Sequence, residues 1–289
     1  MIKTILVPAT GNGTDAATFA AALQAARMFA AHLDFLHVLL DTVEVAVAMT
    51  ADAGGGGALT SGMIEQLDQE VAEREAKAQR IFAEFRTREG LDVVTVPADG
   101  TDKPSAQWHV ETGQEPRWMA SYGMTADLIV ASRGASDDAA ERSILEAVLL
   151  ETGRPLLIPS STAPPAAISD RIAIAWKPTP QAARAVALAM PFLARAKEIV
   201  VITVEEEEGR RDDADRLVRS LMWHGFSATA ERLTPSPHGA AQTLLAAASA
   251  KAGLLVLGGY GHSRLREWVF GGFTQRVLAE APLPVLIAH

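Results

Sequence analysis

Residues 254–274 read LLVLGGYGHSRLREWVFGGFT. The four apolar residues at 254–257 suit a strand buried on both faces of a parallel sheet, and the glycines that follow mark the turn at its end. Past the turn, Leu265, Trp268 and Val269 recur at helical spacing, and Gly271 and Gly272 precede a second helical segment ending near Leu278. Strand, glycine turn and helix in this order offer backbone N–H groups and a helix N-terminus with no Cβ in the way, an arrangement suited to phosphate oxygens. The competing reading is a tight turn without a ligand.

Working outward, the chain has 289 residues, 48% of them hydrophobic, enough for two domains with proper cores. A formal charge of −9 and a pI near 5.3 argue against a nucleic-acid footprint. The absence of cysteine excludes disulfides, thiolate catalysis and cysteine metal sites. The opening MIKTILVP reads directly as a strand rather than a signal peptide, and no apolar run reaches membrane-spanning length, so a cytoplasmic location without a membrane span is expected.

The two halves repeat one alternation of strands and helices. Residues 2–7 and 172–175 are first strands, followed by alanine-rich helices at 15–31 and 180–194, the second with Thr179 as N-cap and Pro180 at its first position. Second strands fall at 35–40 and 199–204. The first half then carries an apolar, Gly-rich insertion over 41–62, a flexible loop or lid. A long helix follows on the stripe Ile64, Leu67, Val71, Ala78, Phe82 and Phe85, stopped by Gly90. In the second half a short acidic run, 205–208, reads as a solvated loop, and a briefer helix carries Leu217, Val218, Leu221 and Met222. Third strands are expected at 93–96 and 228–233, third helices at 114–122 and 240–250, fourth strands at 128–131 and 254–257, and fifth strands at 156–158 and 285–288. The Pro-, Ser- and Ala-rich stretch 159–170 is the linker, giving domains at 1–160 and 170–289. Such alternation implies parallel strands, right-handed crossovers and a doubly wound α/β sheet with helices on both faces.

Gly258, two residues, Gly261, nine residues and Gly271 make a pattern that resembles the nucleotide motif of the universal stress protein (UspA-like) family. The resemblance covers almost the whole chain as a tandem duplication. It implies two doubly wound parallel five-stranded sheets of strand order 3-2-1-4-5, adenine nucleotide alpha hydrolase-like and Rossmann-like. It also implies pairing of the two fifth strands, which makes one chain the equivalent of a homodimer of single domains, and leaves room for further homodimerisation. The function it implies is a stress-response regulatory module binding ATP or a related adenine nucleotide, with Mg2+, and at most weak ATP hydrolysis. A ligand-free interaction scaffold of the same fold is the alternative. The ligand crevice of such a sheet lies outside the carboxyl ends of strands 1 and 4.

On that basis Gly258, Gly261, Gly271 and Gly272 are expected to hold phosphate through backbone amides. The family has Ser or Thr after the third glycine; here Gly272 stands there, with Thr274 two positions on as the hydroxyl. The family's strand-1 Asp is replaced by Thr10 in the first half and Lys177 in the second. Lys177 either attracts phosphate or is an exposed helix-entry residue, Trp176 either stacks on a base or fills the core edge, and Ala175 and Val204 would line the pocket. His262 is placed to hydrogen-bond phosphate, as are Ser263 and Arg264, although Ser263 serves equally as a helix cap. His37, His109, His224 and His238 have no histidine or carboxylate partner at ligand spacing and read as isolated, without a metal. No catalytic set can be assembled. In the first half Ser132, Arg133 and Gly134 replace the glycine cluster, so that half is expected to be degenerate, with Ile144, Leu145, Val148 and Leu149 still packing and Arg133 either binding an anion or serving as a surface or ion-paired arginine.

Overall fold

The computed structural model describes residues 1–45, 47, 61–96, 102–133, 139–160, 168, 170–204, 213–259 and 272–289. In the first half, β1 (Thr4–Pro8), α1 (Asp15–Phe29), β2 (His32–Leu39), α2 (Ser61–Glu89), β3 (Asp92–Val93), β4 (Ser105–Thr112), α3 (Glu115–Gly123), β5 (Leu128–Val130), α4 (Ala139–Glu151) and β6 (Leu156–Ile158) follow one another. The second half runs β7 (Arg171–Ala175), α5 (Pro180–Leu193), β8 (Glu198–Val204), α6 (Asp213–Trp223), β9 (Ala228–Leu233), α7 (Ala240–Lys251), β10 (Leu254–Gly258), α8 (Gly272–Glu280) and β11 (Val285–Ala288).

All eleven strands share one sheet of order β3-β4-β2-β1-β5-β6-β11-β10-β7-β8-β9. Neighbours run parallel within each half, and β6 and β11 pair antiparallel at the seam, with Leu286 opposite Leu157. Among the described residues the second half has five strands and the first has six, which corrects the expected five. The expected third strand at 93–96 survives only as the two-residue edge strand β3, and the strand beside β2 is β4, in register with it from His32–Ser105 to Leu39–Thr112. β4 lies near an edge and buries only part of itself. Its apolar residues alternate with polar ones instead of forming a run.

Each face of the sheet carries its own apolar layer. On one face α1, α2 and α5 cover a cluster holding Phe19, Phe35, Phe82 and Phe85; on the other α3, α4, α7 and α8 cover Leu36, Ile129, Val148 and Ile287. Phe19 meets Phe35 edge-on at 4.7 Å, and Phe29 meets Phe192 edge-on at 5.0 Å across the two halves. The ends of the helices follow from local chemistry. Thr179 Oγ1 accepts from the Ala182 amide at 3.2 Å at the start of α5, and Gly90, at φ +65°, turns the chain out of α2. Ile144, Leu145, Val148 and Leu149 are buried, as their spacing predicts. Among the described residues no helix is long and apolar enough to cross a membrane.

Arg133, expected as an anion ligand or as a surface or ion-paired residue, is half-buried and spends its donors on backbone carbonyls. Its guanidinium crosses the seam and donates to the carbonyls of Leu278 and Ala281 at the end of α8. Those carbonyls have no partner within the helix, and the helix dipole favours a cation there. Burial lowers the Arg133 guanidinium from its ordinary pKa without bringing it near neutrality. Arg195 repeats the device from the other half, donating to Met28 O at 3.1 Å and lying 4.3 Å over the Phe29 ring. Arg133→Met, which keeps the stem and removes the charge-assisted bonds, is expected to cost about 2 kcal/mol, read as a lower urea midpoint at unchanged slope.

Candidate functional site

The second half places three of its elements in a row. Leu257 pairs with Ala175 and Ala175 with Ile202, so Gly258, Trp176 and Thr203 come next across the carboxyl ends of β10, β7 and β8. Ile172, Ile174, Val201 and Val256 lie on the α5 face, and strand alternation carries Gly258, Trp176 and Thr203 onto the same face. Trp176 Nε1 and Thr203 Oγ1 are both buried, and neither has a hydrogen-bond partner among the described residues. Buried polar groups are nearly always satisfied, so two orphans side by side at a strand-end crevice call for a partner. Lys177 is exposed at the mouth, and its carbonyl accepts from the Thr179 amide at 2.7 Å as the chain enters α5.

Gly258 has a packing duty. A Cβ there would lie 2.4 Å from Ala182 N and 2.6 Å from Ala182 Cα, inside the first turn of α5. Its lack of a side chain is demanded by the helix whether or not a ligand binds. Gly272 opens α8 with no described residue within 4 Å of a notional Cβ, and Thr274 is buried in the first turn of the same helix. Ala175 and Val204 stand at the same strand ends but pack against the opposite apolar layer. Gly261, His262 and Gly271, with Leu265, Trp268 and Val269, lie outside the described residues, as do Ser263, Arg264, Gly134, the acidic run 205–208 and most of the 41–62 insertion. Thr203 is absent from the sequence expectations. Its signal was a single hydroxyl inside the apolar run of β8.

The crevice of the first half is built from opposite chemistry. Asp15, the first residue of α1, folds back so that Oδ1 accepts from Thr10 N at 3.1 Å and Thr10 Oγ1 at 2.8 Å, while Oδ2 accepts from Gly11 N at 2.8 Å. The amides that an anion would use are already taken. Glu141, at the start of α4, accepts from Thr14 Oγ1 at 3.1 Å and Ser132 Oγ at 3.3 Å, bringing a second buried carboxylate to the strand ends. Arg74 of α2 donates through Nε to Thr10 O at 2.8 Å and through a terminal nitrogen to Glu115 Oε2 at 3.0 Å. Burial raises the Asp15 and Glu115 carboxyls above their usual range against these bonds, and lowers His37, whose Nδ1–H donates to Ala9 O at 2.6 Å. None of this network was visible in the sequence, because it joins residues up to 127 positions apart.

A further cluster corrects the reading of His109 as isolated. On the outer face of β2 and β4, Asp34 Oδ1 lies 2.9 Å from His109 Nε2 and 3.5 Å from His32 Nε2, and His32 Nδ1 is 2.8 Å from Ser105 Oγ. Burial pushes Asp34 up, but the hydrogen bonds from His32 and His109 outweigh it and hold the carboxyl below the ordinary range. Among the described residues no group of three His, Cys, Asp or Glu has the geometry to hold a metal ion.

The sheet and its crevices define a duplicated doubly wound α/β protein. Residues 169–289 match the model of the universal stress protein family. A universal stress protein from Archaeoglobus fulgidus is similar in structure at 17% identity and TM-score 0.69, covering 99% of this chain and 95% of that one. A functionally unknown protein from Pseudomonas aeruginosa is similar at 16% identity and TM-score 0.53, covering 99% and 92%. The likeness extends over both halves and is one of fold. No curated protein matches the chain in sequence.

Gly258→Ala tests the packing duty directly. Forcing a methyl group into the first turn of α5 is expected to destabilise the protein by about 1–3 kcal/mol, measured by urea unfolding without ligand. An unchanged midpoint would show that α5 can move aside.

Proposed function

We propose that the chain is a tandem stress-response module of domains 1–160 and 170–289 that binds one adenine nucleotide, ATP or a relative of it, in the crevice of its second half. The observation that carries this reading is the pair of unpartnered groups, Trp176 Nε1 and Thr203 Oγ1, beside Gly258 at the carboxyl ends of β7, β8 and β10. The donor Nε1 and the hydroxyl would meet the base or ribose. Lys177 and the backbone amides of Gly261, Gly271 and Gly272 would meet the phosphates, with His262 and Thr274 as further donors and Ala175 and Val204 behind them. Mg2+ would accompany the phosphates, since no acidic metal cage stands among the described residues. The role is binding and signalling, with at most weak ATP hydrolysis.

The first half supports the same reading by contrast. Its strand-end amides are occupied by Asp15, and Glu141 adds negative charge, so phosphate is opposed there. That half serves as a structural partner, its last strand β6 paired with β11 of the second half, and the chain stands for a homodimer of single domains in the cytoplasm. Further self-association would use surfaces away from this seam. A ligand-free scaffold is the second reading, favoured by the packing role that alone accounts for Gly258.

Native mass spectrometry of freshly purified protein, then titration with ATP and Mg2+, separates these readings. One nucleotide per chain is expected; two would overturn the account of the first half, and none at millimolar ATP would leave the scaffold. Gly261→Val is expected to abolish binding with thermal unfolding nearly unchanged. Trp176→Phe, which keeps the ring and loses Nε1, should weaken binding about fivefold, the worth of one hydrogen bond of about 1 kcal/mol.

A further inference from the structure

The long helix α2 is unevenly anchored. From residue 78 onward it is held by Ala78, which is fully buried, and by Phe82 and Phe85, which enter the aromatic layer with Phe19 and Phe35. Residues 62–77, roughly four turns, have no buried side chain, and the half-exposed Ile64, Leu67 and Val71 belong to neither apolar layer. The side-chain bonds of Gln66 to Glu70 and Gln69 to Glu73 stay within the helix. Among the described residues, the hydrogen bonds that tie this segment to the rest of the molecule are those of Arg74, to Thr10 O and to Glu115.

That attachment lies on the crevice itself. A Cβ on Gly11, at φ +77°, would be 2.9 Å from Arg74 O, so the helix backbone rests directly on the turn that follows β1. α6, the corresponding helix of the second half, has 11 residues among those described. We infer that residues 62–77 form a lid over the crevice of the first half, latched by the single guanidinium of Arg74, and that the buried charge of Glu115 strains the latch.

The strain is visible in Glu115. The residue is 8% exposed, and Oε2 accepts from Arg74 while Oε1 is buried without a partner. Asp15 of α1 and Glu141 of α4 face the same carboxyl and oppose its charge, and Arg74 favours it. Burying an ion pair whose second oxygen is unsatisfied returns less than its desolvation costs. The lid therefore closes more readily over a neutral Glu115. With its carboxyl raised by burial when closed and ordinary when open, the closed form binds the proton more tightly, so closure is strongest at acid pH and weakens as pH rises through the raised value. His37, facing Asp15, Arg74 and Glu75, has the opposite sign: held neutral by burial, it favours opening as pH falls below its ordinary value. The Glu115 contribution is therefore read as a difference between the wild type and a Glu115→Gln variant, in which His37 is common to both.

Amide hydrogen exchange with mass-spectrometric readout tests this on the full chain. Arg74→Met is expected to speed exchange in residues 62–77 at least tenfold while residues 78–89 keep wild-type protection, which also shows that the variant is folded. Unchanged exchange in 62–77, or an equal rise along the whole helix, overturns the latch. Glu115→Gln should leave 62–77 at least as protected as in the wild type at pH 7.5 and remove the part of the pH dependence that weakens protection between pH 5 and 7.5. Release of the segment by Glu115→Gln to the extent seen with Arg74→Met overturns the strain.

Discussion

The antiparallel pairing of β6 with β11 is the constraint on which the rest of the molecule depends. A doubly wound sheet of five or six strands ends in exposed strands whose N–H and C=O groups need partners. Here the two innermost edges satisfy each other, and the apolar layer on one face runs on across the seam through Phe29 and Phe192. Arg133 and Arg195 then tie each half to helix carbonyls of the other, so the join is held by directional bonds as well as by burial. Because the strands of the two halves run in opposite directions, their crevices open at opposite edges of one sheet. A partner covering one crevice leaves the other free.

Duplication gave the chain two crevices of the same origin and opposite character. In the second half the described strand ends carry a lysine, an indole N–H and a hydroxyl, and Gly258 admits the start of α5. In the first, Asp15 has turned inward onto the amides of Thr10 and Gly11, Glu141 has joined it, and α2 rests on the turn through Gly11 and Arg74. One crevice leaves Trp176 Nε1 and Thr203 Oγ1 without partners among the described residues, and the other has filled its strand-end amides with its own Asp15. The cost of the second solution is buried negative charge, shown by Asp15 and Glu115 holding their protons more tightly than exposed carboxyls do.

Strands buried on both faces were legible because burial makes them continuous apolar runs. Residues 128–130, 254–257 and 285–288 could be placed from composition alone, and the helices from periodicity and the cap at Thr179. β4 was not, because a strand near the sheet edge alternates, and SAQWHVET carries only Ala106, Trp108 and Val110 as its apolar set. The two crevices split in the same way. Gly258 and Trp176 lie on consecutive, recognisable elements, whereas the Asp15, Arg74, Glu115 and Glu141 network depends on four helices converging, which no local pattern encodes. Thr203 falls between these cases: its position was in plain view, but its meaning comes from the missing partner.

The crowding at Gly258 alters what a glycine can testify to. With the first turn of α5 filling the space where a side chain would go, this position must stay glycine in any descendant that keeps the fold, including one that has lost its ligand entirely. Gly272 meets no such crowding from the described residues. Across a lineage of such chains the crowded glycine would persist as a mark of shared architecture, and the uncrowded one would be free to drift once nothing was bound. The historical record of function therefore lies at positions that packing does not guard.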